Sequence, residues 1–120
     1  MTKARGLMLS SGDVIDLDLG APEGREAGFT HPAVLVTAQR ILDGGPSVVQ
    51  VVPLTSTIRR FHSEIVIEAD QRNGLTELSA AQCQHVRAVS PGRIQATRGN
   101  VGAAALAQIR ETIAVILDLP

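Results

Sequence analysis

The 120-residue chain has no tryptophan and no tyrosine, and Phe29 and Phe61 are its only aromatic side chains. That scarcity largely excludes nucleic-acid binding by stacking successive bases on aromatic platforms. Lysine is nearly absent too, Lys3 being the only one among eleven basic residues. Positive charge is therefore arginine charge, and the guanidinium fork holds a phosphate at two points where an ammonium offers a single point charge. A net charge of −1 excludes a strongly basic, indiscriminate nucleic-acid binder and leaves room only for local basic patches. The single cysteine, Cys83, rules out an intramolecular disulfide, and no Cys/His pair has zinc-ligand spacing. Cys83 is expected to serve as a small buried apolar residue, and neither metal nor cofactor is expected. No apolar run approaches the roughly 18 residues needed to span a bilayer. Met1 to Ser10 carries Lys3 and Arg5 but too short an apolar stretch for a secretion signal. Residues 1–10 read as a flexible leader, residues 11–120 as a single domain, and the protein as cytoplasmic without membrane contact.

What remains is a folding chain: 44% of residues are apolar and 19% charged, enough for one modest core and one site. The most telling segment is Val48-Val49-Gln50-Val51-Val52-Pro53-Leu54-Thr55-Ser56. Pro53 has no N–H to give a ladder, so the strand is expected to stop or meet a sheet edge there, with the Thr55 and Ser56 hydroxyls on the lip. A similar construction occurs upstream, where Glu26-Ala27-Gly28-Phe29-Thr30-His31 leads to Pro32 and the buried run Ala33-Val34-Leu35-Val36-Thr37. Two polar loops abut two buried strands.

Along the rest of the chain, Val14 to Leu19, alternating over its second half, reads as a first strand, and Gly20, Gly24 and Gly28 mark a loop of the kind that binds ligands. Strands two and three are expected near 33–38 and 48–54, with the turn Asp43-Gly44-Gly45-Pro46 between them. Ser63 to Glu68 reads as a fourth strand ended by Asp70-Gln71-Arg72-Asn73-Gly74. Between Ser79 and Val89, Ala80-Ala81-Gln82 suits a helix start while His85 to Val89 alternates like a strand; a fifth strand is expected there. From Val101 to Leu117, Leu106, Ile109, Ile113, Ile116 and Leu117 form the stripe of an amphipathic helix.

The order Gly12-Asp13-Val14, a Gly-rich loop with Glu26, Pro32-Ala33-Val34-Leu35-Val36, Val52-Pro53-Leu54-Thr55-Ser56, Gln84-His85-Val86-Arg87 and a final helix resembles the MazF/PemK/Kid toxin family over residues 11–119. The resemblance implies a mainly β chain with a C-terminal helix, the SH3-like small β-barrel of the CcdB and MazF type. It also implies a metal-independent, sequence-specific endoribonuclease acting on single-stranded RNA, a homodimer neutralised by a MazE-like antitoxin. Thr55 matches the family's catalytic threonine and Glu26 its acidic loop residue. The family's usual arginine before the strand-two proline is His31 here, so the candidate catalytic set is His31, Thr55 and Glu26. Arg25, Ser56, Arg59, Arg60, His62, His85 and Arg87 are the candidate substrate-binding residues. His85 stands where Gln or Asn is common, and the first strand has Ile15 and Asp16 in place of an aromatic.

The chemistry is coherent. RNA is cleaved without metal when its own 2′-OH attacks the adjacent phosphorus, which needs a base, a cation at the phosphorane and an acid at the 5′-oxygen. Histidine, with an ordinary pKa of about 6.5, exchanges a proton near neutrality, whereas arginine stays charged. Two other readings stand beside this one. A catalytically weakened member could act as an antitoxin-binding module, as the change at His31 allows. A CcdB-like topoisomerase poison would need an aromatic residue near the C-terminus, where this chain ends Leu117-Asp118-Leu119-Pro120.

Overall fold

The computed structural model describes residues 8–18 and 30–120. Seven antiparallel strands, β1 (Asp13–Asp18), β2 (Thr30–Leu35), β3 (Val49–Thr55), β4 (Glu64–Ile67), β5 (Ser79–Gln82), β6 (Arg87–Val89) and β7 (Ile94–Asn100), form one sheet. The order is β4-β5-β3-β2-β1-β7, with β6 branching onto β3. A short helix α1 (Gln39–Leu42) links β2 to β3, and the long helix α2 (Gly102–Ile116) closes the chain.

The continuous apolar runs of β2 and β3 exist because both faces of these strands are buried. Successive side chains point to opposite faces. Val14, Val34, Val36, Val52 and Leu54 fall in one cluster, which receives Leu106 and Ile109 of α2. Ile15, Leu17, Ala33, Leu35, Val49 and Val51 fall in the other, with Val89 and Ile94. Among the described residues no long helix covers this second face. It is buried because the sheet curls around it into a small barrel, with Leu42 of α1 in the cluster and Leu9 packed against it. Each fully buried Val, Leu or Ile contributes roughly 1.5–3 kcal/mol.

Helix α2 begins at Gly102, whose N–H is taken by the Asn100 side-chain oxygen at 2.8 Å. Its φ of +88° needs no Cβ in the way. Arg110 anchors the helix by donating to the carbonyls of Val36 at 3.0 and 3.2 Å and Thr37 at 3.3 Å. Of the expected stripe, Leu106 and Ile109 are buried and Ile113 packs against the same cluster, while Ile116 and Leu117 stand exposed.

Several expectations change. β3 does not stop at Pro53. It runs on to Thr55, and Pro53 pairs with Ala33 of β2. On its other side β3 pairs with β6 over Val49–Val51 and with β5 over Leu54–Thr55, so the missing N–H falls at the gap between two partners. The second strand spans residues 30–35, because the chain bends into α1 after Val36. The single fifth strand expected over 79–89 is two short strands, β5 and β6, separated by a 3₁₀ turn at Cys83–His85. β7 and α1 were not expected at all. Among the described residues no helix is long and apolar enough to cross a membrane.

Candidate functional site

β2 opens with Thr30-His31-Pro32, and its register places His31 opposite Leu17 of β1. His31 is therefore fixed at the mouth of the barrel, half-buried, just before the pairing with β3 begins. Thr55 ends β3, held on one side by pairing with Ala80 of β5. Its Oγ1 accepts the N–H of Thr57 at 3.0 Å, an ST turn that swings the chain out of the sheet. That bond uses a lone pair and leaves the hydroxyl proton to donate.

These strand ends meet. His31, Pro32, Thr55 and Ser56 share the wall of a hollow of about 310 Å³ with Leu54. Leu75, Thr76, Glu77 and Ser79 also line it, and Arg98 of β7 completes it. The hollow is rich in hydrogen-bonding groups: three other hydroxyls besides that of Thr55, one imidazole, one carboxylate and one guanidinium. Ser79 is buried, its hydroxyl donating to the Glu77 carbonyl at 3.0 Å.

Arg98 and Glu77 escaped the sequence reading. Arg98 Nε donates to the Asp16 carboxylate at 3.0 and 3.2 Å. Arg98 and Asp16 lie 82 residues apart in sequence, and no local pattern links them. The backbone there is clamped as well. The turn at Asp70–Gly74 is braced by Asn73, 2% exposed, which accepts from Asp70 N and Leu75 N and donates to the Glu68 carbonyl. Its Arg72 carbonyl takes the N–H of Asn100 at 2.8 Å. Contact is so close that a Cβ on Gly99 would lie 2.1 Å from the Arg72 oxygen.

The loop between β3 and β4 carries the other basic candidates. Glu64, 7% exposed at the start of β4, accepts the backbone N–H groups of Arg59 at 3.0 Å and Arg60 at 2.9 Å through Oε1. Arg60 adopts φ of +58°, so the two side chains are presented on a tightly bent backbone. Arg59, Arg60 and His62 are exposed on this loop and do not line the hollow. His85 is exposed at the end of the 3₁₀ turn. Arg87 borders a different groove, of about 480 Å³, between β6 and α2 with Ile41, Val86, Arg110 and Ile113. Glu26 and Arg25 lie outside the described residues. Among the described residues no group of three or more His, Cys, Asp or Glu is arranged to hold a metal ion.

A small curled sheet with a C-terminal helix carries, at two strand ends, a polar hollow whose imidazole, hydroxyls and guanidinium can donate to an anionic ligand. A model of the family described as "PemK-like, MazF-like toxin of type II toxin-antitoxin system" matches residues 10–117. The chain belongs to that family, whose class is that of the MazF-like endoribonucleases. It is 34% identical over 119 residues to Endoribonuclease MazF9 of Mycobacterium tuberculosis, covering 93% of this chain and 98% of the relative. Two solved structures share the fold at lower identity. MazE-MazF (Form-II) from Deinococcus radiodurans has a TM-score of 0.75 at 20% identity, covering 93% of this chain and 97% of that one. An endoribonuclease in complex with its cognate antitoxin from a mycobacterial species has a TM-score of 0.73 at 20% identity, covering 94% and 98%.

Proposed function

We propose that the hollow between His31 and Thr55 is the cleavage site of a cytoplasmic, sequence-specific endoribonuclease toxin that cuts single-stranded RNA without metal. The observation that carries this reading is that a histidine and a threonine hydroxyl, both at strand ends, open on one hollow with a guanidinium. The 2′-OH of the substrate loses its proton and its oxygen bonds to the adjacent phosphorus; the P–O5′ bond breaks, and the departing oxygen gains a proton. The products are a 2′,3′-cyclic phosphate and a 5′-OH. His31 acts at one of the two proton transfers and Glu26 or Glu77 supplies a carboxylate for the other, while Thr55 donates to a phosphate oxygen. Arg59, Arg60 and His62 draw in the flanking RNA, and Ser56 contacts it at the rim.

The family is one of toxin–antitoxin pairs, and the exposed Arg59-Arg60 loop offers complementary charge to an acidic, MazE-like antitoxin segment that would compete with RNA. A homodimer is supported by the apolar side chains exposed around α2, with Val115 79% and Leu117 55% accessible.

The test is to incubate the pure protein with a long RNA in EDTA and map the ends. Discrete fragments with 2′,3′-cyclic phosphate and 5′-OH termini are expected, and a deoxynucleotide at the cleaved position should block the cut. His31→Ala should lose about 10²-fold or more in rate, the usual scale for general acid–base catalysis, whereas His31→Arg should retain activity with a flatter dependence on pH near neutrality. Magnesium-dependent cutting, 5′-phosphate ends or an unchanged His31→Ala rate would reject the mechanism. Intact RNA despite tight antitoxin binding would establish instead the weakened, binding-only member that the replacement at His31 suggests.

A further inference from the structure

We propose that Arg98 is the fixed cation of this site, gripping the scissile phosphodiester through its two terminal nitrogens, and that Asp16 is the residue that positions it. The inference rests on the cleavage reading given above and adds to it a residue of β7, two strands from His31 in the sheet. Charge accumulates on the non-bridging phosphate oxygens as the 2′-oxygen attacks, and a group that stays cationic throughout is needed to meet it. A histidine engaged in proton transfer cannot fill that role at both ends of the reaction. Arg98 is always charged and lines the same hollow as His31 and Thr55.

Its side-chain geometry fits the task. Both Asp16 oxygens are taken by Nε, and among the described residues neither terminal nitrogen has a hydrogen-bond partner. A guanidinium held at Nε keeps four N–H donors for a ligand, in the planar fork that suits two phosphate oxygens. The Arg98 and Asp16 side chains are 34% and 21% exposed, so the tether is open to solvent on one side and serves to aim the fork more than to add stability. Asp16 belongs to β1, opposite Pro32 of β2 and Ala96 of β7. The tether thus ties the arginine to the strand that also fixes His31. The backbone beneath Arg98 is pinned by the 70–74 turn, since Gly74 and Gly99 allow contact that any side chain would block. Among the described residues Glu77 is the one carboxylate lining the hollow, and the ion pair of Arg98 is with Asp16. Arg59 and Arg60, the cations the sequence offers first, do not reach the hollow wall.

The experiment measures single-turnover cleavage of an oligoribonucleotide spanning a mapped cut site, together with affinity for the same oligonucleotide carrying a 2′-deoxy residue at the cut. R98Q should slow cleavage about 10²-fold or more and weaken affinity by less than about 10-fold. R98K should recover only part of the rate, because charge returns without the fork. Millimolar guanidinium should raise the rate of R98A, a rescue that a merely structural arginine would not show. D16N should lower the rate about 10-fold with affinity near wild type. An R98Q rate within about 3-fold of wild type, with His31→Ala inactive, would remove Arg98 while leaving the cleavage reading intact. A wild-type protein that cuts no RNA would reject the cleavage reading itself. In that event, equal affinity of wild type and R98Q for the 2′-deoxy oligonucleotide would overturn the phosphate contact as well, and weaker R98Q binding would uphold it.

Discussion

Glu64→Ala should both destabilise the protein and blunt its activity. Glu64 is 7% exposed, and its Oε1 alone receives two backbone N–H groups, from Arg59 and Arg60, within 3.0 Å. Hydrogen bonds to a charged acceptor contribute roughly 1.5–3 kcal/mol each. Both donors belong to exposed residues, so water recovers part of that once the side chain is gone, and the net loss should be about 2 kcal/mol. With an unfolding entropy of about 0.25 kcal/mol/K for a chain of this length, Tm should fall by about 8 °C. Because Arg60 sits at φ of +58°, the loop relaxes when its anchor is lost, and RNA affinity should weaken most at low salt. Differential scanning calorimetry and filter binding across a salt series would read the two effects. Glu64→Gln, which keeps an acceptor oxygen, should recover more than half of the loss. A Tm within 2 °C of wild type for Glu64→Ala would refute the claim that this carboxylate holds the loop.

Two further outcomes follow from close packing and burial. Gly99→Ala places a Cβ 2.1 Å from the Arg72 carbonyl oxygen and 2.8 Å from the Asn73 carbonyl carbon; backbone rather than a pliant side chain must yield, so about 3 kcal/mol should be lost, read as a shifted urea midpoint. Gly44→Ala, whose Cβ would lie an ordinary 3.4 Å from the Ile41 carbonyl oxygen, should be nearly silent and serves as the control. Cys83 has its thiol pKa pushed up to about 11 from 9.0, chiefly by burial, with a backbone hydrogen bond pulling the other way. The folded state therefore holds this proton more tightly than the unfolded one; stability from it is intact below pH 9 and falls as pH rises toward 11. The window is unusually clean because the chain has no tyrosine and one lysine. Urea titrations from pH 7 to 11 should show the decline in wild type and a shallower one in Cys83→Ala; identical slopes would refute it. At pH 8 thiol reagents should modify Cys83 only on unfolding.

The sequence alone determined the elements whose burial leaves a trace in side-chain pattern. Ala33 to Val36 and Val51 to Leu54 are apolar on both faces because both faces are covered, and Leu106 and Ile109 recur at helical spacing because one face of α2 is buried. The order of Gly12-Asp13-Val14, the Gly-rich loop with Glu26, the Pro32 and Pro53 segments, Gln84 to Arg87 and the final helix also sufficed to place the chain among the MazF-like toxins. β7 left no such trace. Only Ile94 of that strand is buried, and Gln95, Ala96, Thr97 and Arg98 are exposed on an edge held to β1 by backbone hydrogen bonds, which are blind to side-chain type. Pro53 misled for a related reason: a missing N–H marks a place without a partner, and the sequence does not say that β3 changes partner there from β6 to β5. His31 and Thr55 were legible as strand-end residues. Their meeting with Arg98, and the tie from Arg98 to Asp16 across 82 residues, was decided by the curl of the sheet, because long-range register is set by how the whole barrel packs and by no local period.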